Sequence, residues 1–363
     1  MEQRRIVEAI DAHFTRLDAA VSALERVRAN LKRYRASVLK AACEGRLVPT
    51  EAELARREGR DYEPADVLLE RILEERRARW EAEELARLRA QGKEPKDDRW
   101  KRRYKEPEPP DTTGLPELPE GWVWANVEQI GEIIGGITKN RTRGKLPLKV
   151  PYLRVANVYA NELRLDDVQE IGVTEAELER ALLRQGDLLV VEGNGSRDQI
   201  GRVAVWDGSI DSCVHQNHLI KIRLVNVDWA SYVLYWLLSP SGRDAIERVA
   251  SSTSGLYTLS LSKVAAIPVP LPPDAERRRI LAEVEKRITV LDAVGGEIAT
   301  QLRRTTRLRQ SILKRAFEGR LVPQDPSDEP ASVLLERIRD ERGSRAGAGQ
   351  VARGRRATVP VPR

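Results

Sequence analysis

Thiols and imidazoles are scarce in this 363-residue chain: two cysteines, Cys43 and Cys213, and three histidines. Two cysteines in separate segments build no disulfide framework, and the usage fits a reducing compartment. No apolar run approaches the roughly 20 residues of a membrane span. No leader-like segment precedes the first helical stretch, so the expectation is a cytoplasmic chain without a membrane partner. Residues 2–43 contain neither glycine nor proline, which removes the usual helix breakers from a long stretch. Neither sign of charge is lacking. Lysine plus arginine number 62 against 56 aspartate plus glutamate, a net charge of +6. That balance permits nucleic-acid binding without establishing it.

What the chain has in quantity is itself. Glu44-Gly-Arg-Leu-Val-Pro49 recurs as Glu318-Gly-Arg-Leu-Val-Pro323, and at the same offset Leu17-Asp-Ala19 matches Leu291-Asp-Ala293. After a short slip, Val67-Leu-Leu-Glu-Arg-Ile72 matches Val333-Leu-Leu-Glu-Arg-Ile338. Two copies do not make a solenoid; they suit a pair of elements related by approximate two-fold symmetry. Ile10, Phe14, Leu17, Val21 and Leu24 form a narrow coiled-coil seam, so the predicted helix over 2–43 needs a partner helix. A second long helix is predicted from Asp274 to Phe317, interrupted at Gly295-Gly296, a soft spot. Each ends in glycine and then proline, as Gly45 and Pro49 and as Gly319 and Pro323.

Between the helices the composition shifts. Residues 50–114 read as a charged connection with a helix opening at Pro64, then a linker in which Trp100 and Tyr104 sit among basic residues. Residues 115–273 predict a mixed α/β domain. Short strands are expected at 131–138, 152–155, 187–191, 201–206 and 218–224. A capping box, Thr174-Glu-Ala-Glu177, opens a helix, and helices are expected after Asp228 and from Pro240 or Ser241. Ile267-Pro-Val-Pro-Leu-Pro-Pro273 reads as a stiff extended hinge, and the chain from about Gly343 as disordered.

Enzyme signatures fail one by one. Gly135-Gly136 is followed by Ile-Thr-Lys, not by a phosphate-binding Gly-Lys-Ser/Thr. The Pro-Pro pairs at 109–110 and 272–273 are followed by aspartate, not by the aromatic residue that amino-methyltransferases use. Asp274, Glu283, Glu285 and Lys286 faintly suggest a nuclease cluster but occupy flanking positions of a coiled-coil helix. Cys213, His215 and His218 look briefly like metal ligands but lack a fourth. No catalytic and no metal-binding residues are assigned.

Four polar loops remain. Glu192–Gln199 offers Asn194, Ser196, Arg197 and Gln199; the segment before His218 offers Gln216 and Asn217. Amide and guanidinium side chains of this kind pair with base edges. Thr138–Lys145 offers Lys139, Arg141, Arg143 and Lys145 for phosphates. Ser251–Thr258 groups small hydroxyl residues around Tyr257. These favour a DNA reader over a pocket enzyme, the competing class being a non-catalytic coiled-coil adaptor whose middle domain binds protein. Nothing matches the aromatic signatures of RNA-binding modules.

Leu118-Pro-Glu-Gly-Trp-Val-Trp124, the Ile267–Pro273 run leading into Glu276-Arg-Arg-Arg-Ile280, and Glu318–Pro323 together resemble the specificity subunit of type I restriction-modification systems. The Glu192–Ile200 loop and Cys213–His218 look like parts of some target-recognition domains in that family. The resemblance implies one globular target-recognition domain plus two long helices forming an antiparallel coiled coil. It divides the chain into a first helical repeat (1–50), a charged helix and linker (51–114), a recognition domain (115–273), a second repeat (274–324), and a short helix with a disordered tail (325–363). It implies double-stranded DNA as ligand, with methyltransferase subunits and a restriction subunit as partners. S-adenosylmethionine, ATP and magnesium would sit on those partners, with no cofactor on this chain. The family carries two recognition domains, whereas this sequence has one. A split gene, a misassigned start, or a half-subunit that self-associates or takes a second half-subunit would each account for that.

Overall fold

The computed structural model describes residues 2–253 and 255–353. The chain forms two compact units, one of Leu31–Asp292 and one of Met1–Asn30 with Ala293–Arg363. Helix α1 (Glu2–Cys43) and the long helix that starts at Asp274 contribute to both units.

In the larger unit the end of α1 buries Val38, Leu39, Ala42 and Cys43. A short helix, α2 (Glu51–Glu58), follows where only a charged connection was expected. Its signal is a capping box at Thr50 and Glu53, the same Thr-Glu-Ala-Glu sequence that opens a helix at Thr174. Helix α3 (Ala65–Ala90) buries Ala65, Leu68, Leu69 and Ile72. Beyond it the linker folds back, and Trp100 and Tyr104 pack on Trp80 with ring centres 6.1 and 5.3 Å away.

Strand β1 (Val123–Asn126), helix α4 (Val127–Ile130) and strand β2 (Gly131–Gly135) lead into the globular part. Strands β3 (Leu148–Leu153), β4 (Val158–Tyr159), β5 (Glu162–Leu163) and β6 (Gln169–Val173) precede helix α5 (Glu175–Ala181). After it come β7 (Leu188–Val191), β8 (Gly193–Asn194), β9 (Val203–Val205), β10 (Val214–His215) and β11 (Leu219–Leu224). Helices α6 (Ala230–Leu238) and α7 (Pro240–Val249), strands β12 (Ser251–Thr253) and β13 (Leu256–Thr258), helix α8 (Leu261–Ala265) and strand β14 (Pro268–Leu271) complete it.

The organising sheet is antiparallel in the order β2-β11-β7-β9. Its apolar runs are covered on both faces, because successive strand side chains alternate. Leu188, Val190, Ile220 and Ile222 face the main core with α3, α6 and the end of α1. Leu189, Val191 and Leu219 face a smaller core around Trp206 and Cys213. A second sheet, β10-β3-β6, holds a third cluster around Tyr152.

The proline-rich hinge is a strand. β14 pairs with β1 from Val123↔Leu271 to Asn126↔Pro268, in a sheet of only these two strands where proline's missing N–H is tolerated. Val269 and Leu271 are fully buried. The carbonyls of Pro268 and Pro270 accept from Trp236 Nε1 and Tyr232 Oη, both at 2.8 Å. Helix α9 (Asp274–Phe317) starts at once, and its Glu276 accepts from the Glu51 amide (2.8 Å) and Trp122 Nε1 (3.0 Å). Two stretches that carry the resemblance, Leu118–Trp124 and Glu276–Ile280, therefore meet the start of α2 at one buried carboxyl group.

In the smaller unit α1 and α9 run antiparallel: Arg309 bonds Asp18 and lies 4.8 Å from the Phe14 ring centre, and Arg5 holds Asp328 at 2.6 Å. Arg35 with Asp292 gives the same direction within the larger unit. Helix α9 continues through Gly295-Gly296 without a break, unlike the expected soft spot. Helix α10 (Ala331–Arg353) also runs past Gly343, since the alanine, arginine and glutamine around its glycines are good helix formers. The rest of the expected disordered tail lies outside the described residues.

The two repeats share sequence but not surroundings. Leu69 and Ile72 are 8 and 6% exposed, whereas their counterparts Leu335 and Ile338 are 54 and 38% exposed.

Candidate nucleic-acid interface

The register of the central sheet brings the polar loops together. Gly135 pairs with Ile220, and Leu219 pairs with Val191. The end of β2, the start of β11 and the end of β7 therefore lie at one end of the sheet. The loops that leave from there are 136–145, 216–218 and 192–200. The fourth joins them through β13, in which Tyr257 pairs with Asn194 and Thr258 with Gly193. Close approach fixes the first two: Ile137 bridges Gln216 in parallel, and a Cβ on Gly136 would run into the backbone of His215 and Gln216.

At this end the expected base-edge residues are held in different ways. Gln216 and Asn217 are half-buried; their backbone amides bond Leu153 O and Ile137 O at 2.9 and 3.1 Å. Neither side chain makes a hydrogen bond among the described residues, so a rigid backbone presents two amide groups with their capacity unused. Ser196 is exposed and Gln199 half-buried, in a turn of 3-10 helix at 197–199. Arg197 is exposed but reaches Glu247 of α7 at 2.7 Å. Asn194 is on β8, and its side chain lies outside the described residues.

The basic loop divides. Lys139, Arg141 and Lys145 are exposed and without an ion-pair partner among the described residues. Arg143 departs from the expectation. Its side chain is 12% exposed, forms a two-pronged bridge to Glu177 at 3.0 and 2.8 Å, and donates to the carbonyls of Thr138 and Gly172. That pairing, with the Thr174 cap, holds the Glu177 carboxyl down at about 2. Arg143 pins the loop to α5, so its donors are spent inside the fold.

Cys213, His215 and His218 go separate ways. Cys213 is buried in the smaller core, where burial pushes its thiol up to about 12. His215 is buried with Nδ1 and Nε2 facing the carbonyls of Ala181 and Ile134 at 3.1 and 3.3 Å. Burial, and then the nearby Lys221, lower its pKa to about 4. His218 is exposed and bonds Glu192 at 2.9 Å, tying two of the loops together. Asp274 pairs with Arg277 and Arg278, and Glu283 with Arg287, which leaves two of the three carboxylates of the faint nuclease pattern in helix ion pairs.

One cluster at this sheet end was invisible in the sequence. Arg202 directly precedes β9, and its carbonyl accepts from Val191. The β4–β5 hairpin is tied alongside by the Asn161 amide on Val203 O. It places Tyr159 under two guanidinium groups, those of Arg164 and Arg202, 3.8 and 4.9 Å from the ring centre. Tyr159 and Arg202 lie far apart in the chain, so no spacing rule could have paired them.

The features so far define a class: a mixed α/β domain with a polar, partly basic sheet end, in a chain that also has two long antiparallel helices. Comparison with known proteins shows what the chain is similar to. No protein-family profile matches the chain. The specificity subunit of the type I restriction enzyme EcoKI from Escherichia coli is 32% identical over 210 residues, covering 54% of this chain and 44% of that protein. The StySPI specificity subunit from Salmonella potsdam is 27% identical over 208 residues, covering 55 and 45%. The EcoDI specificity subunit from Escherichia coli is 24% identical over 371 residues, covering 95 and 68%. Among solved structures, a type I restriction-modification complex has a chain that is 21% identical, with a TM-score of 0.43 and coverage of 76 and 61%. The specificity subunit from Thermoanaerobacter tengcongensis is 20% identical, with a TM-score of 0.38 and coverage of 88 and 59%. The chain is similar to type I restriction enzyme specificity subunits, and it spans a little under half the length of the EcoKI and StySPI subunits that it matches. No helix among the described residues is long and apolar enough to cross a membrane.

Proposed function

We propose that this chain is a sequence-specific, non-catalytic DNA-binding subunit of a type I restriction-modification complex, and that its recognition domain reads one half of a bipartite duplex site. The observation that carries this reading is the gathering of four polar loops at one sheet end, with Gln216 and Asn217 unspent and Lys139, Arg141 and Lys145 exposed. Amide groups held on a rigid backbone suit base edges, and unpaired cations beside them suit the phosphates that set register. The relatives' names support the same reading. The long helices would serve as a scaffold for methyltransferase and restriction subunits. S-adenosylmethionine, ATP and magnesium would then belong to those subunits and not to this chain.

The test is selection of bound duplexes from a random-sequence pool by the purified chain, alone and with its cognate methyltransferase subunit. The expected result is one short conserved sequence. Gln216→Ala or Asn217→Ala should relax one base position at a cost of about 1–3 kcal/mol. Recovery of unselected sequence by a folded chain in both preparations would refute the reading.

A further inference from the structure

The arginines near the candidate interface differ in what balances their charge. Arg154 pairs with Asp167 and Arg164 with Glu162, each at 2.8 Å, and Arg197 pairs with Glu247 at 2.7 Å. Arg202 has no carboxylate partner among the described residues. Its polar contact is a long one, 3.5 Å to Val155 O, and its Nε is buried without an acceptor. A half-buried guanidinium with no counter-ion costs desolvation that a stack on tyrosine only partly offsets. It is also held in place, since its guanidinium carbon lies over the Tyr159 ring and the Val191–Arg202 backbone bond fixes its origin. A planar donor fork, rigid and unneutralised, suits an external oxyanion that accepts through two oxygens.

We propose that Arg202, positioned by Tyr159, contacts a backbone phosphate of the bound duplex, extending the interface past the β9 edge of the central sheet. This rests on the DNA-reading proposal above. Tyr159 acts as a positioning residue. Arg164, over the same ring, adds positive charge that its exposed partner Glu162 offsets only in part.

The experiment measures the affinity of the full chain for a duplex taken from the selection, across a salt series. Arg202→Ala should bind roughly tenfold more weakly, with the log–log salt slope smaller by about 0.9, the value for one phosphate contact. Arg202→Lys keeps the charge but loses the two-pronged donor fork, so it should keep the slope and bind severalfold more weakly. Tyr159→Leu should do the same. None of the three should change the selected sequence. If Lys139→Ala lowers the slope while Arg202→Ala, Arg202→Lys and Tyr159→Leu all match wild type, the assignment is wrong although the DNA reading stands. A relaxed base position in Arg202→Ala with an unchanged slope would also overturn it, since that marks a base contact. Should Arg202→Ala not fold, the lysine and leucine variants still decide between the outcomes. Failure of the wild-type chain to bind duplex in a salt-dependent way would instead remove the proposed function.

Discussion

Lys221 lies in β11, an inner strand of the central sheet, with its side chain fully buried, and its Nζ donates to Arg180 O and Leu182 O, both at 2.9 Å. These carbonyls close the end of α5, so the lysine serves as an internal helix cap. Burial first, and then the neighbouring Arg223, lower its pKa to about 7. In an unfolded chain the group titrates near 10.4. Between those values the unfolded chain binds about one more proton than the native one, so stability rises with pH in that window. The gradient is about 1.4 kcal/mol per pH unit, and the whole effect is of the order of 4 kcal/mol. Below pH 7 both states are protonated and this contribution is flat. All seven tryptophans fall within Leu31–Asp292, so their fluorescence follows the unit that contains Lys221. Urea unfolding at pH 7, 8 and 9 should show wild type gaining on Lys221→Met by about 1 kcal/mol or more per unit. The difference between the two proteins cancels the other titrating groups. Parallel stability curves across this range would refute the argument that burial holds Lys221 neutral.

Three further outcomes follow from the packing. Leu69→Ala should cost about 2–4 kcal/mol and its repeat counterpart Leu335→Ala less than about 1, measured by urea unfolding and by hydrogen exchange at the two helices. Arg143→Ala should destabilise the larger unit by about 1–3 kcal/mol by stranding Glu177; the Arg143-dependent stability should be present above about pH 4.3 and fade as pH falls toward 2, while Lys139→Ala leaves the melting temperature unchanged. Cysteines at Asp18 and Arg309 should form an intrachain crosslink on mild oxidation, read by gel mobility, and cysteines at Asp18 and Asp292 should not.

The long helices were legible because nothing in 2–43 or 274–317 competes strongly with helix, and even Gly295-Gly296 did not break the second. Thr174-Glu-Ala-Glu177 was legible as a helix start, while the same four residues at Thr50 were lost in a run of charge. The hinge was misread because Pro268 and Pro270 argue against a strand, and only pairing with β1 at a sheet edge accommodates them. The loops themselves could be picked out by composition. Their convergence could not, because it depends on which strands pair and in what register. Arg143 shows the same limit: a basic loop residue and an internal staple look alike until Glu177 is placed beside it. The repeat is the sharpest case, since Ile72 and Ile338 share their sequence neighbours and differ in what packs against them.

The claim on which the account turns is that the sheet end carrying loops 136–145, 192–200 and 216–218 contacts DNA. The direct measurement is the salt dependence of duplex binding by wild type and by a variant with Lys139, Arg141 and Lys145 all changed to alanine. If all three touch phosphates, the log–log slope should fall by about 2.7 and the selected sequence should stay the same. An unchanged slope in a folded triple variant would mean that DNA, if bound at all, lies on another face.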